Sequence, residues 1–583
     1  MIARASVAIL FLSALAGCGD GEFVPVAEPG TLRETDAGPV IGYVSDNGGH
    51  AWRGIPFAAS TAGDNRWRAP QPPARWREPR RALESAPRCV QLTNAFDADE
   101  GFEPGELIGS EDCLALDIYA PAAAAAAGLP VMVWIHGGAN VWGRASVYDG
   151  SHLAKNEQVI VVAVQHRLGP LGYFSHPWLR ETAASGAGRS ANFATLDLIA
   201  ALAWVEANIA EFGGDPDNVT IFGESAGGHN VVALLASPLA KGLFRQAIVQ
   251  SGLVDSVPVA EAEGTATNAS AEIVERLGVT AAPALRSVPL DRLYAAYDAG
   301  EGFLELPVII EDGIALPAMP LLEAFRSADT FNAVPTITGA NRDETKLFFA
   351  LDDRLTRRWF GLILGPRDGR YYDVIAEYTS RLWRIRAVDE LALAMRSAGH
   401  EAVYAYRFDW DDGGRFLFAD FSELFGAAHG LEIPFVFNRF DMFGRVDSVL
   451  YRDATETDRQ RLSRAMGAYW ASLARSGRPT ADAGPEWPPY GRDGRVLHLD
   501  SGPDSGPEVV SGVDSVEKLI ADLAGDRRVS DTERCAIVAE LGVWLLPDDW
   551  QDRVVRETGC TGVAPVMRHG RLQPSGGGPD AAG

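Results

Sequence analysis

The stretch Asn218–Ala240, NVTIFGESAGGHNVVALLASPLA, runs from a β-branched strand pattern through a serine set between glycines into an apolar helical pattern. Strand, sharp turn and helix are the units from which an α/β sheet is wound. Gly223 and Gly227 leave room for a turn that neighbouring Cβ atoms would block, and such a turn lifts the Ser225 hydroxyl clear of the sheet. The five-residue pattern alone is a weak signal. Its setting strengthens it, because the following helix aims its first amides at the turn.

Outward from this turn, strand patterns rich in β-branched and aromatic residues recur as LALDIY, VMVWIH, VIVVAVQH, QAIVQS, VPTITG and AVYAYRF. Several are continuous apolar runs, as expected for parallel strands covered on both faces. FATLDLIAALAWVEANIAEFG repeats apolar residues at helical spacing, at Leu196, Ile199, Ala200 and Ala203, and stops at Gly213 and Gly214. The expected fold is therefore α/β, a large and mostly parallel twisted sheet flanked by helices, with loop insertions.

The chain has 583 residues without a fixed-period repeat, which favours one large catalytic domain over several modules. A formal charge of -26 and the lack of a Lys/Arg run argue against nucleic acid as a partner. Residues 1–17 read as a secretory leader too short to span a bilayer in the mature protein. Leu15-Ala16-Gly17-Cys18 resembles a bacterial lipobox, which makes Cys18 the expected lipidation site and the sole membrane attachment. Residues 18–37 are then an acidic tether, 38–510 the catalytic domain, 511–562 a helical extension and 563–583 a Gly/Pro-rich disordered tail. Localisation is expected outside the cytoplasm, on the periplasmic or cell-surface side of a membrane.

Four further cysteines remain for an oxidising compartment. They allow three pairings. Proximity in the chain favours Cys89 with Cys113 and Cys535 with Cys560, each loop stabilising by about 3 kcal/mol in the chain-entropy account.

A serine hydroxyl needs a base, and the base needs an acid to hold its tautomer. In α/β enzymes of this type the order is serine, acid, histidine, each after a strand. His569 lies in the tail, His498 inside the strand-like RVLHLD, and His400 before a strand. His429 remains, in ELFGAAHGLEIPFVF after AVYAYRF. Asp343 and Glu344 both follow VPTITG, and position does not separate them. VWIHGGAN offers a glycine-bearing loop at a strand end for two oxyanion donors, with the Ala226 N–H as a third.

Taken together, GIPFA from Gly54, SEDCLALDIYAP from Ser110, LPVMVWIHGG from Leu129, the segment around Ser225, FRQAIVQSG from Phe244, GANRDE from Gly339 and HGLEIPFVF from His429 resemble the type-B carboxylesterases. These are the cholinesterase-like branch of the α/β hydrolases. The resemblance spans about Gly38 to Tyr490. It implies a Ser225–His429–Glu344 triad, oxyanion donors at Gly138, Ala139 and Ala226, a Cys89–Cys113 disulfide, and orienting roles for Glu224 and Ser251. Three departures stand out. Ala139 replaces a glycine, Asn140 replaces an aromatic and is expected to make that side of the pocket more polar, and the Cys89–Cys113 loop lacks the tryptophan that holds choline. His229 and Asn230 replace small residues without an evident reason.

The expected activity is hydrolysis of a small-molecule carboxylic ester through an acyl-enzyme, with no metal and no organic cofactor. A lipase for longer acylglycerols uses the same machinery, and a non-catalytic adhesion or binding module would show a broken triad. Activity is expected to fall below about pH 6 if His429 keeps the intrinsic imidazole pKa.

Overall fold

The computed structural model describes residues 23–560 apart from 123–127, 184, 298, 301–302, 305, 360–361, 417–418 and 503–504. The leader, Cys18 and the tail from Thr561 lie outside the described residues. The main sheet has eleven strands, numbered here in chain order. They are β1 (Tyr43–Val44), β2 (His50–Pro56), β3 (Ala115–Ala120), β4 (Leu129–Ile135), β5 (Ile160–Val164), β6 (Gly214–Glu224), β7 (Gln246–Gln250), β8 (Thr336–Asn341), β9 (Val403–Phe408), β10 (Arg495–Leu499) and β11 (Glu508–Ser511). Their order across the sheet is β11-β10-β9-β8-β7-β6-β4-β5-β3-β2-β1.

The run from β5 to β10 is parallel throughout, and the strands at both margins are antiparallel. Strands β5, β7 and β8 are buried along their whole length, and the unbroken apolar run of β5 has no solvent face to mark with polar residues. In β4, Val131, Val133 and Ile135 enter one core with helices α1 (Phe193–Asn208) and α2 (Ala226–Ala236). Met132 and Trp134 enter the other core, among Met466, Tyr469 and Trp470 of helix α4 (Glu456–Ser476).

Helix α1 is apolar on nearly every side, and of the four residues that spacing selects only Leu196 is buried. Ala194, Leu198, Ala201 and Val205 are buried, whereas Ile199 and Ala200 are half-buried and Ala203 is exposed. Strongly apolar helices carry too little contrast around the axis for the sequence to orient them.

Packing starts earlier than Gly38. Arg33–Thr35 pairs with Gly38–Ile41, and the Trp52 indole N–H donates to the Thr31 carbonyl at 2.7 Å. A single strand of three residues leaves no periodicity to read. At the other end, helices α5 (Val516–Gly525), α6 (Asp531–Trp544) and α7 (Asp548–Thr558) form the extension. They follow β11, which belongs to the main sheet, and α5 and α6 pack on α3 (Gly369–Arg384). Both expected disulfides are present, Cys89–Cys113 and Cys535–Cys560.

Candidate active site

Ser225 stands between β6 and α2 with φ 58° and ψ −125°, a conformation that costs a non-glycine residue of order 1–3 kcal/mol and persists only when its surroundings hold it. Those surroundings are visible. The Ser225 N–H donates to the Gln250 carbonyl at 2.9 Å, tying the turn to β7. A Cβ on Gly227 would overlap the Ile135 carbonyl, and one on Gly223 would lie 2.6 Å from the same oxygen. The two glycines thus let the turn settle onto the end of β4. Ala226 is the first residue of α2, so its N–H has no partner within the helix.

Glu344 follows β8 and His429 follows β9. The two meet, with His429 Nδ1 2.5 Å from Glu344 Oε2. The other oxygen of Glu344 accepts from Ser251 Oγ at 2.6 Å and from the Asn341 N–H at 2.7 Å. Glu344 has no exposed surface and His429 only 8%. Asp343, its sequence rival, turns away to the Ala427 N–H at 3.0 Å and to Arg342 at 2.8 Å. His400 and His498 bond elsewhere, to the Val334 carbonyl and beside Asp409.

His429 Nε2 lies 3.1 Å from Glu224 Oε1, an ion-pair contact without hydrogen-bond geometry, since that oxygen has no hydrogen-bond partner. No hydrogen bond joins Ser225 Oγ to His429 among the described residues. The ring is held from the side by Trp383 and Phe348, at 4.8 and 5.5 Å between centroids. Trp383 also donates to the Ser251 carbonyl at 3.1 Å.

A third carboxylate, Glu432, is buried behind the pair and accepts from Asn341 Nδ2 at 2.7 Å and Gln250 Nε2 at 3.1 Å. Sequence reasoning gave it no role, although it stands three residues after His429 in the same motif. This crowding sets the electrostatics. Burial pushes the Glu224 carboxyl up to about 8, with His429 pulling the other way. Burial alone would depress His429, but the Glu224 and Glu344 carboxylates and the Nδ1 hydrogen bond override it and raise the imidazole to about 9.

Gly138, Ala139 and Asn140 follow β4 with φ of 107°, 52° and 60°. The Gly138 carbonyl accepts from Val141 and Trp142 at 3.0 Å each, so the loop curls back on itself. No backbone hydrogen bond among the described residues uses the Gly138 or Ala139 N–H. A Cβ on Gly137 would lie 3.2 Å from Ser225 Cβ, which puts this loop beside the serine. Asn140 does not make the pocket more polar, because it is 2% exposed and its side chain accepts from Asn230 Nδ2 at 2.8 Å. His229 faces the Asp255 carbonyl at 2.6 Å. Beneath the loop, His136 stacks on His166 at 4.6 Å, and burial pushes the two down to about 3 and about 4.

Strand order, a serine at the tight turn after β6, and an acid and a histidine on the loops after β8 and β9 define an α/β hydrolase of the serine type. A carboxylesterase family model matches residues 30–358 and 368–512. The chain belongs to that family, and it is a carboxylesterase-type serine hydrolase. It is 34% identical to the para-nitrobenzyl esterase of Bacillus subtilis (strain 168) over 495 residues, covering 80% of this chain and 94% of that protein. It is also 34% identical to a human cocaine esterase over 535 residues, covering 82% and 89%. Among solved structures, a PNB esterase superposes with TM-score 0.67 at 32% identity, covering 84% of this chain and 98% of that one. A carboxylesterase of Geobacillus stearothermophilus gives 0.66 at 29% identity, covering 84% and 99%.

Proposed function

We propose that this protein hydrolyses small-molecule carboxylic esters in two steps through Ser225, His429 and Glu344. His429 Nε2 takes the Ser225 proton as the oxygen attacks the ester carbonyl, then returns it to the leaving alcohol. Glu344 holds Nδ1 and balances the imidazolium. The N–H groups of Gly138, Ala139 and Ala226 receive the charge that develops on the carbonyl oxygen. Water, activated by the same imidazole, then frees the acid. The observation that carries this reading is the buried 2.5 Å contact between Glu344 and His429, whose other ring nitrogen lies 3.1 Å from Glu224, the residue before the serine of the strained turn. The names of its relatives, a para-nitrobenzyl esterase and a cocaine esterase, support ester substrates with bulky alcohols or acids over long acylglycerols. Ser225→Ala removes one oxygen from an otherwise unchanged site. It is expected to lower turnover of a p-nitrophenyl ester by at least about 10⁴-fold at unchanged melting temperature, and near-normal turnover would exclude the assignment.

We also propose that the protein is exported and held to a membrane by lipid on Cys18. The apolar leader before Cys18 and the two disulfides, which persist in oxidising compartments, support this. In a bacterial host the wild type is expected in the membrane fraction with incorporated labelled palmitate. Cys18→Ser is expected to lose the label; equal labelling of both would remove the proposal.

A further inference from the structure

Two residues that set this chain apart from its family pattern, Asn140 and Asn230, are bonded to each other. Asn230 Nδ2 donates to Asn140 Oδ1 at 2.8 Å, and Tyr173 Oη donates to Asn230 Oδ1 at 2.9 Å. The three side chains are 2%, 0% and 1% exposed. A buried polar atom left without a partner is costly, and Asn140 Oδ1 and Asn230 Nδ2 each find theirs in the other.

We propose that Asn140, Asn230 and Tyr173 form a positioning clamp that fixes the distance between the two halves of the oxyanion hole. This rests on the reading of Gly138, Ala139 and Ala226 as the oxyanion donors. Those donors come from two separate elements, the loop after β4 and the N-terminus of α2. Asn140 directly follows the loop pair, and Asn230 lies on α2 five residues after Ser225. The loop needs such a tie, because Ala139 and Asn140 both carry positive φ, which their Cβ atoms disfavour. The Asn140 carbonyl is held as well, accepting from the Gly169 N–H at 2.7 Å. Tyr173 occupies Asn230 Oδ1 and so turns the amide to present its N–H to the loop. An oxyanion donor acts only when it sits at hydrogen-bond distance from the oxygen in the transition state, so a loop free to slide against α2 loses rate more than substrate binding. None of the three side chains touches the reacting atoms, and their role is positional.

The test compares the full-length wild type with Asn140→Ala, Asn230→Ala and the double variant. Readouts are kcat and KM on a p-nitrophenyl ester, melting temperature, and inhibition by an aryl trifluoromethyl ketone. That ketone's carbonyl carbon bonds to Ser225 Oγ, the serine proton passes to His429, and the adduct oxygen stays as an oxyanion. Each single variant is expected to lose about 10- to 100-fold in kcat, with KM within about 3-fold, and to bind the ketone more weakly by a similar factor. The double variant is expected to be no worse than the weaker single, because both break one hydrogen bond. Unchanged kcat and ketone affinity, whatever the melting temperature, would overturn the clamp, as would losses that multiply in the double variant. Should Asn230→Ala not fold, Tyr173→Phe carries the test, with a smaller kcat loss expected and none overturning the proposal. Ser225→Ala keeps the two claims apart. If it is inactive while the asparagine variants are normal, the clamp alone fails; if it is active, the esterase reading fails.

Discussion

At His429 one imidazole faces carboxylates at both ring nitrogens, Glu344 at Nδ1 and Glu224 at Nε2. In the proposed mechanism His429 must be neutral before it can accept the Ser225 proton. Because the two carboxylates raise it to about 9, the acid limb of kcat/KM falls on the alkaline side of 6.5, not near 6 as an isolated histidine implies. The sign for a variant follows directly. A carboxylate stabilises the imidazolium, so removing its charge lowers the pKa and leaves the neutral base populated at lower pH. Glu224→Gln is expected to move the acid limb down by about one unit or more, in a pH–rate profile taken on the same ester. A limb that stays where it is would mean that Glu224 does not set it. At the residue scale the sharp turn at Ser225 was legible as a motif, and elimination singled out His429 as the expected base. Asp343 and Glu344 are adjacent in the chain, so position does not separate them; the family resemblance points to Glu344, and side-chain direction brings Glu344 to His429 and turns Asp343 away.

The elements place these residues by backbone contact. Strand β4 ends in the Ile135 carbonyl, which lies against both Gly223 and Gly227. Gly227→Ala therefore forces β4 and α2 apart and is expected to cost about 2–3 kcal/mol, read as a lowered melting temperature with activity falling alongside. Gly186, where an added Cβ meets nothing within 4 Å, gives the control, and Gly186→Ala is expected to be neutral. A melting temperature indifferent to Gly227→Ala would remove the close-contact explanation of the motif. On the far side of the site, the helix from Gly369 passes through a π turn at Ile385–Asp389 just after Trp383, the residue that packs on His429. Seven internal strands were readable from their β-branched and aromatic residues, and several from the continuous apolar runs that burial on both faces leaves. The marginal strands β1, β2 and β11 were not, since His50–Pro56 and Glu508–Ser511 mix polar and small residues at the sheet edge.

At the scale of the molecule, the extension is a second layer over α3 and not part of the triad loops. Leu519, Ile520 and Leu523 of α5 and Ile537 and Leu541 of α6 are fully buried. Arg381 of α3 bridges to Asp514 and Asp522, and the Tyr378 hydroxyl donates to Asp526 at 2.9 Å. The Cys535–Cys560 bond closes this layer. Replacing both cysteines by alanine is expected to lower stability by about 3 kcal/mol in denaturant unfolding, with kcat of the folded enzyme unchanged. A kcat that drops in step with stability would show the extension acting on the site itself.

The sequence by itself determined the sheet class, the turn at Ser225 and the pairing of the four cysteines into two disulfides. Each depends on local geometry or on neighbours close in the chain. Only the tertiary structure decided the inward face of α1, the turn of Glu344 toward His429, the third carboxylate behind them and the pairing of Asn140 with Asn230. Those depend on side chains brought together from 90 positions apart, between Asn140 and Asn230, or 85, between Glu344 and His429. Burial then decides which of the contacts a polar group must make, and that is a property of the packed protein, not of the chain.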